Sequence, residues 1–95
     1  CYAYRQALER DPNNPERQYA LGKACVAAGE LEEAAPLLEK ASVRLSRDVK
    51  LLHMLAECYL QLGFKDSAEE VYRRINRLHP YDEDVKAKIT SLAGA

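Results

Sequence analysis

Apolar residues return along this chain with the spacing of helices, not of strands. Tyr4, Ala7 and Leu8 share one helical face, as do Leu21, Ala24, Cys25 and Ala28. The stripe continues through Ala34, Leu37, Leu38 and Ala41, then through Leu52, Leu55, Ala56 and Tyr59. Ala68, Val71, Tyr72 and Ile75 follow, and Val85, Ile89 and Leu92 close the series. Steps of three and four gather side chains on one side of an α-helix, whereas a half-buried strand needs alternation. No stretch alternates for long enough to make a strand, so the pattern predicts an all-α chain.

Helix-ending residues fall where the periodicity breaks. Asp11-Pro12-Asn13 makes a turn. Asn14 can accept from backbone N–H groups as an N-cap, and Pro15 takes the first helical position, where its missing N–H costs nothing. Gly29 and Gly63 each end a helix in the left-handed conformation. Asp48 and Asp82 are N-caps of the helices that follow. Asp82, Glu83 and Asp84 gather at a positive helix end, and Arg73, Arg74 and Arg77 near a negative one. Six helices are predicted, near residues 2–10, 15–28, 31–45, 49–62, 65–78 and 83–93. The loops hold only a few residues, so neighbouring helices must pack antiparallel. Pro36, just past the first turn of its helix, bends that helix without stopping it.

A 34-residue step organises these helices: Leu21 recurs as Leu55, Gly29 as Gly63, Ala34 as Ala68 and Asp48 as Asp82. The same step carries Tyr4 onto Leu38 and Tyr72, and Pro12 onto Ser46 and Pro80. A fixed period of this length marks stacked repeats. Its phase divides a single domain, 1–95, into a half repeat (1–14), two full repeats (15–48 and 49–82) and a last segment, 83–95, that starts a third repeat or caps the array. Because Cys1 falls inside a repeat, the chain reads as a piece of a longer protein.

The residues at fixed places in the step resemble the tetratricopeptide repeat family, whose signature runs W-x2-L-G-x2-Y, then A-x3-F, then a closing Pro. The first full repeat offers Gln18, Leu21, Gly22 and Cys25, then Ala34 and Leu38, with Ser46 where Pro is usual. The second offers Leu52, Leu55, Ala56 and Tyr59, then Ala68, Tyr72 and Pro80. The resemblance implies a right-handed superhelical array of antiparallel helix pairs, an α-solenoid. Small residues at Gly22, Ala56, Ala34 and Ala68 let helices approach closely, and a Leu at Gly22 or Ala34 would overpack the contact.

Composition narrows the function. The chain is 47% hydrophobic and 31% charged, with a formal net charge of -1. That balance lacks the basic footprint of a nucleic-acid or membrane-surface binder. No apolar run approaches the roughly 18 residues of a membrane span, and no signal peptide is visible, which favours the cytoplasm. Three cysteines, Cys1, Cys25 and Cys58, show no pairing pattern and are expected as buried thiols in a reducing compartment.

Catalytic constellations are not apparent. His53 and His79 lie on different helices with no ligand at zinc spacing, so no metal and no cofactor are expected. Cys58, five residues after His53 on one helix, points away from it and cannot form a nucleophile–base pair. The resemblance instead implies a non-catalytic module that binds a protein or peptide in a concave groove. It places Glu16, Tyr19, Lys23, Val26 and Ala27 there from the first full repeat. Lys50, His53, Glu57, Leu60 and Gln61 come from the second, and Asp84, Ala87 and Ser91 from the last helix. The family's clamp for a C-terminal carboxylate needs Lys, Asn and Arg; here Lys23 stands almost alone, and Glu57 would repel such a ligand. A second reading is a structural spacer or self-association element, pairing through the apolar face Cys1, Tyr4, Ala7 and Leu8.

Overall fold

The protein is described by a computed structural model over residues 14–94. The helix expected near residues 2–10, with the self-association face Cys1, Tyr4, Ala7 and Leu8, lies outside the described residues. Within them are five helices: α1 (Pro15–Ala27), α2 (Leu31–Arg44), α3 (Val49–Leu62), α4 (Lys65–Leu78) and α5 (Glu83–Ala93). No strand occurs among the described residues. The predicted helices reappear, with α1 and α2 each stopping one residue early.

Local chemistry accounts for the boundaries. The Asn14 side chain accepts from the backbone N–H groups of Glu16 and Arg17 at 3.0 and 3.3 Å. Asp48 accepts from Leu51 at 3.2 Å. Asp82 accepts from Asp84 and Val85 at 3.1 and 3.3 Å. Each cap satisfies donors that the first helical turn cannot pair internally. Gly29 and Gly63 take φ of 80° and 85°, a conformation that a Cβ disfavours. Pro36 removes one backbone donor within α2, and the helix runs through it.

The chain divides between Ser46 and Arg47 into two compact units. In the first, α1 packs against α2, and Leu21, Cys25, Ala34, Leu38 and Ala41 are buried. Gly22 is required by contact: a Cβ there would lie 2.7 Å from Leu38 Cδ2. Ser42, also fully buried, donates its hydroxyl to the Glu39 carbonyl at 2.7 Å, which meets the cost of burying it. In the second unit α4 packs against both α3 and α5. Leu51, Leu52, Leu55, Ala56, Ala68, Val71, Tyr72, Ile75 and Val85 are buried there.

The cysteines depart from expectation in part. Cys25 is fully buried but disulfide-bonded, whereas Cys58 keeps a free, buried thiol. Sequence spacing does not report which sulfurs meet in space, so the bond was not foreseen. Its presence removes the argument for a reducing compartment that rested on free thiols.

Candidate partner-binding faces

On α1 the stripe Gln18, Leu21, Gly22 and Cys25 is buried, which turns the other side of the helix outward. Glu16, Lys23 and Ala27 are exposed there, and Tyr19 and Val26 are half-buried. The Lys23 ammonium sits 4.6 Å from the centroid of the Tyr19 ring. One helical turn separates the two residues, so the cation is held against the ring face that attracts it.

The corresponding side of α3 carries Lys50, Glu57 and Gln61, all exposed, with His53 and Leu60 half-buried. The His53 ring meets Tyr72 edge-on, with centroids 6.2 Å apart and planes at 70°. Tyr72 is buried, and its phenol is pushed above its ordinary pKa by that burial and, second, by the Glu57 charge. The Cys58 thiol is raised by the same two causes in the same order. On α5, Asp84, Ala87 and Ser91 are exposed.

This chemistry suits contact better than catalysis. A nucleophilic thiol needs a lowered pKa and access, and Cys58 has neither. Cys25, Glu30 and Glu33 bring ligand-type atoms within 4.8 Å of one another. The Cys25 sulfur is bonded and offers no thiolate, while both acids lie at the start of α2, where helix N–H groups favour negative charge. Arg73 pairs with Glu69 at 2.7 Å on the solvent side of α4, a helix-surface contact rather than a phosphate site.

Sequence reasoning named the residues on these faces but missed two contacts within them. The spacing of Tyr19 and Lys23, four residues apart, was a usable signal for the first. Tyr72 beneath His53 had no sequence signal, because the two rings come from different helices.

The family model of the tetratricopeptide repeat matches residues 2–45 and 31–92. The chain belongs to the tetratricopeptide repeat family. Two solved structures have the same fold. One is MamA MSR-1 C2, with a TM-score of 0.82 at 21% identity over 94% of this chain and 51% of that one. The other is a crystal structure of MamA, with a TM-score of 0.81 at 25% identity over 96% of this chain and 53% of that one. The chain thus spans about half the length of either. No curated protein matches it. Tetratricopeptide repeats are generally non-enzymatic scaffolds, and membership supports a protein–protein interaction module. Among the described residues no helix is long and apolar enough to cross a membrane.

Proposed function

We propose that the chain is a non-catalytic interaction module that binds a segment of a partner protein on the outward faces of α1 and α3. Glu16, Tyr19, Lys23 and Val26 would contact it from α1, and Lys50, His53, Glu57, Leu60 and Gln61 from α3. The observation that carries this reading is the Lys23–Tyr19 pair. An aromatic ring and a cation lie together on a helix whose opposite face is occupied by packing. Tyrosine is one of the residues in which interface hot spots are enriched.

Tyr19→Ala combined with Lys23→Glu should weaken capture of partners at least several-fold while leaving the chain folded, as read by its helicity. Capture that is indifferent to the double change counts against the reading.

A second reading, a spacer or self-association element, draws on exposed apolar side chains. Val43, Phe64 and Tyr81 are 73%, 55% and 89% exposed, and Tyr81 helps line an open cleft of about 660 Å³ with Val49, Leu78 and Pro80. Light scattering over a range of concentrations tests the second reading, since a strictly monomeric chain counts against self-association.

A further inference from the structure

Glu57 is an exposed carboxylate that makes no hydrogen bond or ion pair among the described residues. It stands one helical turn from His53, whose ring meets Tyr72 in a T-shaped contact, and three residues before half-buried Leu60. Positions three and four apart on a helix are neighbours, so an acid, an imidazole ring and an aliphatic surface adjoin on one patch of α3. The only cation among the five named residues of this face is Lys50. It lies seven residues from Glu57, about 10.5 Å along the axis, which exceeds the Debye length of about 8 Å at physiological salt. Its charge therefore does little to neutralise the patch.

We propose that His53, Glu57 and Leu60 form a subsite for a basic side chain, arginine or lysine, of a partner polypeptide. The proposal rests on the reading of α3 as a partner-binding face. Glu57 takes the charged head, and Leu60 takes the methylene stem, which long cationic side chains lay along apolar surface. The His53 ring, in contact with Tyr72, closes one side. Arginine fits better than lysine, because its planar fork can meet both carboxylate oxygens. An acidic segment is disfavoured at the same place by repulsion.

The test uses the isotope-labelled chain and three capped pentapeptides, Ala-Leu-X-Leu-Ala, in which X is arginine, its neutral isostere citrulline, or glutamate. Binding is followed by chemical-shift changes. The arginine peptide is expected to shift α3 amides around His53 and Glu57 and to bind roughly fivefold tighter than the citrulline peptide, the size of an exposed ion pair. In Glu57→Gln that advantage should vanish while the citrulline peptide binds as before. Equal binding of arginine and citrulline peptides on α3, or tighter binding of the glutamate peptide, overturns the subsite and leaves the partner-binding face standing. Absence of any α3 shift with all three peptides overturns both.

Discussion

The turns closing the α1–α2 and α3–α4 hairpins share one backbone and differ in what clasps it. After α1, Glu30 N–H donates to the Cys25 carbonyl at 2.8 Å and Gly29 N–H to Val26 at 3.0 Å. After α3, Phe64 N–H donates to Tyr59 at 2.8 Å and Gly63 N–H to Leu60 at 3.1 Å. Shifted by 34 residues, the two sets of bonds coincide, and each forms the paired arrangement that satisfies the last carbonyls of a helix around a left-handed glycine. In the second turn Phe64 also meets Tyr59 edge-on, with ring centroids 6.4 Å apart. The first turn has Glu30 and Cys25 at those places and no such clasp. Backbone hydrogen bonding, then, repeats because the glycine dictates it, while side-chain closure is free to differ.

The helix contacts behind the turns differ too, and here the largest effect is expected. Gly22 and Ala56 are equivalent in the repeat, yet a Cβ at Gly22 would come within 2.9 Å of Leu38 Cγ as well as 2.7 Å of Cδ2. Leu38 is fully buried and cannot swing aside. Gly22→Leu should therefore destabilise by roughly 1–3 kcal/mol through overpacking. At the equivalent place Ala56→Gly should cost about 1 kcal/mol in helix propensity. Urea unfolding of both variants measures this. If adding a side chain at position 22 is no worse than removing one at position 56, the two hairpins pack alike and the comparison fails.

The clasp gives a smaller effect. Phe64→Glu makes the second turn resemble the first, and should cost about 0.5–1.5 kcal/mol, the range of an aromatic pair. Phe64 remains more than half exposed, which places the expectation toward the lower end. The reverse exchange, Glu30→Phe, should gain nothing, because its counterpart Cys25 is buried and bonded and presents no ring. Thermal melts of the pair decide whether the clasp or the shared backbone closes the turn.

These differences mark what the sequence could reveal. Asn14, Asp48, Asp82, Gly29 and Gly63 act on backbone groups within a few residues of themselves, so the helix limits were legible. Gly22 was legible as a close contact because its step-mate is Ala56. Phe64 against Tyr59 and Tyr72 beneath His53 depend on side-chain directions that periodicity does not carry. The faces of α1 and α3 were legible through the family resemblance, which placed their residues position by position. The bonded state of Cys25 was not, since sulfur proximity is a property of the fold.

The two described cysteines extend the contrast between the units, and Cys58 supplies the finest expected effect. Burial, and then the neighbouring Glu57 charge, hold its thiol in the neutral form in the folded chain. An unfolded chain loses the proton at the ordinary thiol value. Below that value both states are protonated, and stability is at its full level. As pH rises past it, the unfolded state ionises first, and stability falls until the folded thiol also ionises. Tyr72, raised by the same two causes, adds to the loss at still higher pH. Denaturant midpoints should accordingly drift downward on the alkaline side of the ordinary thiol range. Folded Cys58 should react with a thiol reagent at pH 8 far more slowly than the unfolded chain. Glu57→Gln should weaken the alkaline drift slightly but not abolish it, because burial is the larger cause. Rapid labelling of folded Cys58, or a drift abolished by Glu57→Gln, would show that charge rather than burial governs this thiol.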